Sequence, residues 1–334
     1  MENLKNLESV QWGIIGCGDV TEVKSGPAFQ KCRNSRLVAV MRRTPGLAAD
    51  YARRHGVPKW YENAEELLAD PEVNAVYVAT PPDTHCHYTL LAARAGKAVY
   101  VEKPMARTYP ECQQMIQACT SAGVPLFVAY YRRALPRFVK IKKWLDGGKI
   151  GEIRSVLVEF ARPLSTTRPL SWRVLPEISG GGYFVDLGSH ILDILDYLVA
   201  PIAKVSGTAV NQAGTYPAED SVVAHFTFEN GAVGAGSWNF SGNKSVDRVS
   251  IVGESGEIEF SVFWHEPLVL KNRQGQLTAE YERPAHIQQP LIQTVVNSLT
   301  GSGSCPSSGE TAARTSRVID EIQKNYRRQH QIRF

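Results

Sequence analysis

The chain has 334 residues, 43% of them hydrophobic and 21% charged, with a formal net charge of +4. That length suggests about two domains of ordinary size. The basic excess is spread through pairs such as Arg42-Arg43, Arg132-Arg133 and Arg327-Arg328, which argues against a nucleic-acid partner, while the lack of any long apolar run or leader argues against a membrane and for a soluble, cytoplasmic protein.

The first element is the stretch Val10 to Thr21. The apolar run Trp12-Gly13-Ile14-Ile15 ends in Gly16-Cys17-Gly18, after which the chain can turn into a helix. Strand, tight glycine turn and helix in that order suit a dinucleotide pyrophosphate: glycines let the backbone approach the phosphates, and amides at the start of the helix supply a positive field. Gly16, Cys17, Gly18, Asp19 and Val20 are therefore candidate cofactor contacts. Thr21 stands where a third Gly or Ala is expected, a departure that leaves the packing of the turn open. A helix to about Lys31 follows, shortened or kinked by Gly26-Pro27.

Leu37 to Met41 reads as a second buried parallel strand. At its end, where an acidic residue would take the ribose hydroxyls of NAD, stand Arg42-Arg43-Thr44. A guanidinium can pair with a 2'-phosphate, so NADP is favoured over NAD; the alternative is two solvated arginines at a strand end. Asn63 and Glu66 suggest a capped helix ending near Asp70-Pro71, followed by a strand over Val73 to Ala79. That strand runs into Thr80-Pro81-Pro82-Asp83-Thr84-His85 at the carboxyl edge of the sheet, where open α/β sheets bind ligands. Helix 86–95 closes at Gly96, and the strand over 98–101 delivers Glu102-Lys103-Pro104 to the same edge. Thr108 and Glu111 suggest a second capping box, Gly123 ends that helix, and 126–130 is one more strand. Strands alternating with helices over about 130 residues imply a doubly wound parallel sheet.

The pattern then changes. A helix over 136–146 leads to a strand over 153–161. Gly180-Gly181-Gly182 precedes an amphipathic helix over 183–198, and strands over 203–211, 222–228, 232–240, 248–252 and 258–263 are joined by short turns, which implies an antiparallel sheet. A last helix begins at 307–310. The expected division is 1–131 for a dinucleotide-binding domain and 132–334 for a substrate-binding and oligomerisation domain.

Few residues offer chemistry. Six cysteines form no Cys-x-x-Cys pair, which fits a reducing compartment and speaks against structural zinc. Lys103, at a strand end between Glu102 and a proline, is either a loop lysine or an ammonium able to stabilise negative charge on oxygen. Asp186 and His190 lie four apart, so they share one helix face; His190 suits general acid/base work and Asp186 can hold substrate or tune the imidazole. With no third His or Cys nearby, no metal site is expected.

Gly13-Ile-Ile-Gly16-Cys-Gly18, Ala79-Thr80-Pro81-Pro82 with His85, Glu102-Lys103-Pro104, and Gly181-Gly182-Tyr-Phe-Val-Asp186-Leu-Gly-Ser-His190, in that order, resemble the glucose-fructose oxidoreductase, inositol dehydrogenase and MocA family (Gfo/Idh/MocA). The resemblance implies an N-terminal Rossmann domain, a C-terminal α+β domain with a large open, mostly antiparallel sheet, and NAD(P)-dependent redox chemistry on a sugar, cyclitol or related polyol. It implies that Lys103 is the catalytic lysine, Asp186 the substrate-orienting aspartate and His190 the acid/base. It places Thr80, Pro81, Pro82, His85, Glu102, Lys103, Trp172 and Arg173 towards the cofactor, and Tyr131 and Arg132 with the triad towards substrate. A homodimer or homotetramer through the C-terminal sheet is expected. Family members that sense ligand without catalysis, and NAD-dependent glycoside cleavage, remain alternatives.

Overall fold

A computed structural model describes residues 6–334, and in it the glycine turn closes a central strand. Six strands, β1 (Val10–Ile15), β2 (Ser35–Met41), β3 (Lys59–Tyr61), β4 (Ala75–Val78), β5 (Ala98–Val101) and β6 (Leu126–Val128), form one parallel sheet in the order β3-β2-β1-β4-β5-β6. The order reverses between β1 and β4, so the turns after these two strands flank the switch point at which such sheets bind ligands. Both faces are covered: β4 and β5 are buried throughout, which is why they read as unbroken apolar runs. On one face Trp12, Phe29, Tyr77 and Tyr100 pack as a ring cluster, with centroids 4.8 Å apart for Trp12 and Phe29 and 5.0 Å for Tyr77 and Tyr100.

The helix expected to run to Lys31 is two, α1 (Asp19–Val23) and α2 (Gly26–Lys31). Pro27 removes a backbone donor, and a side chain at Gly26 would strike the Tyr51 hydroxyl and the Thr21 carbonyl. α3 (Leu47–His55) and β3 fall where no element was expected; α3 lies between Gly46 and Gly56, both left-handed, and buries Ala48, Tyr51 and Ala52. α4 (Ala64–Ala69) starts at Asn63, whose side chain accepts from the Glu65 and Glu66 amides at 2.7 and 3.4 Å. α5 (His85–Arg94) precedes β5. α6 (Tyr109–Ala122) is capped by Thr108, which accepts from the Glu111 amide at 3.3 Å, and ends at left-handed Gly123.

Beyond α7 (Pro136–Asp146) lies a second sheet. β7 (Ile153–Ala161), the short helix α8 (Pro176–Ser179) and α9 (Ser189–Leu198) precede seven strands: β8 (Ile202–Val210), β9 (Ser221–Phe228), β10 (Val233–Asn239), β11 (Val246–Gly253), β12 (Gly256–Phe260), β13 (Leu268–Asn272) and β14 (Gly275–Ala279). The eight strands run in the order β14-β13-β12-β11-β7-β10-β9-β8, with only the β7–β10 pair parallel. Helices cover one face, where Phe184 meets Trp238 at 5.1 Å and Phe138 meets Phe260 at 6.0 Å. The other face keeps Leu157, Val223 and Val233 more than half exposed, at 55, 57 and 54%.

The helix expected to be amphipathic over 183–198 differs in two ways. Phe184–Gly188 is a π-helix, and α9 after it is buried almost all round. Asp196 is buried and held by Arg314 at 2.6 and 2.8 Å.

α10 (Gln289–Leu299) was not expected and corrects the domain boundary. Its Leu291, Ile292, Val295, Val296 and Leu299 are buried in the core that holds Trp12 and Tyr100. The chain up to Ala134 together with Pro284–Ala313 therefore forms one unit, and Leu135–Arg283 with Arg314–Phe334 the other. The second division falls inside α11 (Gly309–Gln329). Among the described residues no helix is long and apolar enough to cross a membrane.

Candidate active site

The glycine turn of the first unit admits no side chain where it is tightest. Gly16 has φ +92°, and a Cβ there would stand 2.7 Å from Thr80 Cγ2 and 3.1 Å from the Thr80 nitrogen, so only glycine brings the two loops together. The amides of Gly16 and Cys17 donate to the Met41 carbonyl at 2.9 and 3.1 Å. Gly16, Gly18, Asp19 and Val20 reach the surface while Cys17 turns inward. Burial pushes the Cys17 thiol up to about 11, which leaves it inert at neutral pH. Thr21 fits the place of the third glycine because its amide and its hydroxyl both donate to the Gly18 carbonyl, at 2.9 and 2.7 Å.

Arg42 Nη1 lies 3.4 Å from the Cys17 carbonyl, so this guanidinium folds back to the turn; Arg43 is exposed beside it. Thr80 and Pro81 are partly exposed, whereas Pro82 and His85 are buried. His85 Nε2 meets the Thr80 carbonyl at 2.7 Å, and Nδ1 meets the carbonyls of Pro104 and Met105 at 3.0 and 3.3 Å. Burial holds its pKa below the usual value. His85, expected against cofactor, stitches the Thr80 loop to the segment after Lys103.

Glu102 is likewise held by neighbouring groups. It is buried; Oε1 accepts from the Tyr77 hydroxyl and from Gln288 Nε2 at 2.6 Å, and Oε2 accepts from the Lys103 amide at 3.1 Å. Tyr100 donates to Gln288 Oε1 at 3.0 Å. Burial, then the Glu102 charge, pushes both tyrosine hydroxyls well up, so they remain donors. The network fixes the backbone that carries Lys103, itself half-buried. Gln288 was missed in the sequence: a glutamine ahead of a helix carries no signal of a partner 186 residues earlier. In the turn Tyr131–Ala134, Tyr131 is partly exposed and Arg132 is buried, its guanidinium 4.9 Å from the Tyr131 ring centre.

In the second unit the π-turn carries Asp186 and leads into α9 with His190. Such a turn takes about four to five residues, so positions four apart stay on one face. Gly188 permits it, since a Cβ there would stand 2.6 Å from Phe184 Cδ2. Arg173 Nε reaches Asp186 Oδ2 at 3.4 Å, and its guanidinium lies 4.3 Å from the centre of the Trp172 ring. The Trp172-Arg173 pair and Asp186, apart in sequence, are thus neighbours.

His190 is 3% exposed, with its ring edge-on to Phe263 at 5.9 Å. Phe263 sits in a clamped loop. Asp247 accepts from the amides of Val262, Phe263 and Trp264 at 2.9, 2.6 and 2.9 Å, and Arg137 donates to the carbonyls of Trp264 and Glu266 at 2.5 and 3.0 Å. Arg162 lies 5.3 Å from the Phe263 ring centre. Sequence gives no pointer to this support, whose members are single residues on separate elements. Among the described residues no group of three or more His, Cys, Asp or Glu is placed to hold a metal ion.

Known proteins match most of this chain. Residues 10–130 fit the family model described as "Oxidoreductase family, NAD-binding Rossmann fold", and 138–259 fit the "GFO/IDH/MocA C-terminal domain". An "Oxidoreductase P35" from Formosa agariphila is 40% identical over 316 residues, which cover 93% of this chain and 97% of the relative. Levoglucosan dehydrogenase from Pseudarthrobacter phenanthrenivorans is 30% identical over 275 residues, 72% of this chain and 70% of that one. A solved structure of levoglucosan dehydrogenase in complex with NADH and levoglucosan has a TM-score of 0.86 at 24% identity, covering 96% of this chain and 98% of the other; that likeness is one of fold.

Proposed function

The chain belongs to the GFO/IDH/MocA family of NAD-binding oxidoreductases, and from that membership we propose that it moves hydride between a nicotinamide cofactor and a carbinol or carbonyl carbon of a sugar, cyclitol or related polyol. What carries this reading is the π-turn with its surroundings: Asp186 held by Arg173, and His190 on the same helix face edge-on to Phe263. The levoglucosan dehydrogenase relative supports a pyranose-sized substrate rich in hydroxyls.

The first unit fits a dinucleotide, since a Cβ at Gly16 would fill the cradle against Thr80. Gly16, Gly18, Asp19, Val20, Thr80 and Pro81 would hold the pyrophosphate side. Arg42, folded to the turn, supports NADP over NAD by pairing with the 2'-phosphate. When bound, the nicotinamide supplies or accepts the hydride, and the protein supplies orientation and charge.

His190 exchanges one proton with the substrate oxygen, taking it from the hydroxyl in oxidation and returning it in reduction. Lys103 donates a hydrogen bond to the same oxygen and stabilises the negative charge that develops there. Asp186 accepts from a substrate hydroxyl, with Arg173 limiting its rotation. Trp172, Tyr131 and Arg132 complete the surroundings. The sheet face bearing Leu157, Val223 and Val233 supports self-association as a homodimer or homotetramer.

A screen of sugars and cyclitols with NAD and NADP, followed by absorbance of the reduced cofactor, tests the assignment. Turnover of at least one polyol, lost in Lys103→Met and His190→Ala, is expected. Full turnover in both variants would overturn the roles.

A further inference from the structure

Gly182, the last of the three glycines before the π-turn, is held from both sides. Its amide donates to Glu219 Oε1 at 2.8 Å, and its carbonyl accepts from the Asp186 amide at 3.2 Å. Glu219 is fully buried, in the loop that leads into β9. The fit leaves no slack: a Cβ at Gly182 would stand 2.5 Å from the Glu219 carbonyl oxygen, and one at Gly181 would stand 2.8 Å from Gln323 Nε2 on α11. Arg327, also on α11, donates to the Gly180 carbonyl at 2.8 Å and pairs with Asp320 at 2.6 Å. An acid buried this completely, one residue removed from a substrate-orienting aspartate, is not needed to fill space.

We propose that Glu219 is a positioning residue for Asp186: its carboxylate fixes the Gly182 amide, Gly182 in turn fixes the first turn of the π-helix, and loss of the Glu219 charge relaxes that turn. This inference rests on the roles proposed above for Asp186 and His190. A charged acceptor makes a hydrogen bond roughly twice as strong as a neutral one, so protonation of Glu219 weakens the hold without removing it.

The surroundings set where that happens. Burial pushes the Glu219 carboxyl up to about 7, opposed by the Gly182 amide and by Arg327. From its own loop comes Tyr216, which also feels Asp220; the Asp220 carboxylate is taken by the amides of Gln212 and Ala213 at 2.9 and 2.8 Å. From α11 come Tyr326, which donates to the Pro217 carbonyl at 3.0 Å, and Arg327 with its partner Asp320. From the chain after the glycines comes Tyr183, whose ring meets that of Tyr216 at 5.8 Å. The site therefore tightens as pH rises through neutrality.

The test compares wild type with Glu219→Gln from pH 5.5 to 9. The two proteins differ only at residue 219, so pH effects common to both divide out of the ratio of their kcat values. That ratio is expected near one below about pH 6 and at roughly five- to tenfold above pH 8, with the cofactor KM unchanged. A second readout needs no cofactor: amide exchange over residues 182–190 is expected to be faster in Glu219→Gln than in wild type at pH 8 and equal at pH 6. A ratio independent of pH, with equal exchange at both values, overturns the proposal. Full turnover in Asp186→Asn overturns instead the reading it rests on. If Glu219→Gln does not fold, wild-type exchange at the two pH values, corrected for intrinsic rates, decides: unchanged protection overturns the proposal.

Discussion

Arg173 and Asp186 form an ion pair, 3.4 Å apart, with the arginine stacked over Trp172. Because Arg173 is 44% exposed, water screens the pair and stability owes little to it; its use is to hold one carboxylate rotamer. Arg173→Met is expected to leave the unfolding temperature nearly unchanged and to lower kcat/KM for the polyol about fivefold, as about 1 kcal/mol of lost orientation implies. Steady-state kinetics beside thermal unfolding separates the two.

Lys103 and His190 are expected to act on turnover and not on cofactor capture. Removing a positioned proton-transfer group costs roughly 100- to 10,000-fold in rate. His190→Ala should fall in that range, and Lys103→Met should approach it, while cofactor affinity by calorimetry stays within about twofold.

Arg42 is expected to decide between the two nicotinamide cofactors. A charge-assisted hydrogen bond contributes about 1.5–3 kcal/mol, so Arg42→Ala should raise the KM for NADP at least about tenfold and leave that for NAD almost unchanged. A wild-type preference for NAD would refute the role.

The acid that tightens the site is expected to cost stability. Glu219 is raised to about 7 in the fold, against an ordinary value of 4.5. Between these values the folded state binds the extra proton, so this contribution to stability is complete below about pH 4.5, falls as pH rises, and is gone above about pH 7. Glu219→Gln should therefore unfold at a higher temperature than wild type at pH 8, with the gap closing towards pH 4.5. Thermal unfolding at a series of pH values checks this.

The parallel sheet was legible because strands such as β4 and β5 are buried throughout and two of its helices carry side-chain caps: Asn63 and Thr108 both cap as their spacing implies. β3 was not legible, being three residues with no alternation to betray them. α10 had a signal, apolar residues at 291, 292, 295, 296 and 299, but sequence alone does not say which core a late helix enters. The site divides similarly. Asp186 and His190 are visible by spacing, yet the widened turn between them depends on Gly188 making room for the Phe184 ring. His85 and Glu102 sit within recognisable motifs, but the partners that hold them, backbone carbonyls for His85 and Gln288 among others for Glu102, are not marked in the sequence.

Gln288 also has a consequence in time. It completes the hydrogen bonds of Glu102 and Tyr100, but it is synthesised 186 residues after Glu102, an interval of roughly 10–40 s on the ribosome. Throughout it the nascent parallel sheet lacks both that amide and the apolar face of α10, and the whole second sheet emerges first. A chain stopped before residue 284 thus lacks both the Gln288 donor to Glu102 and the apolar residues of α10 that complete this core.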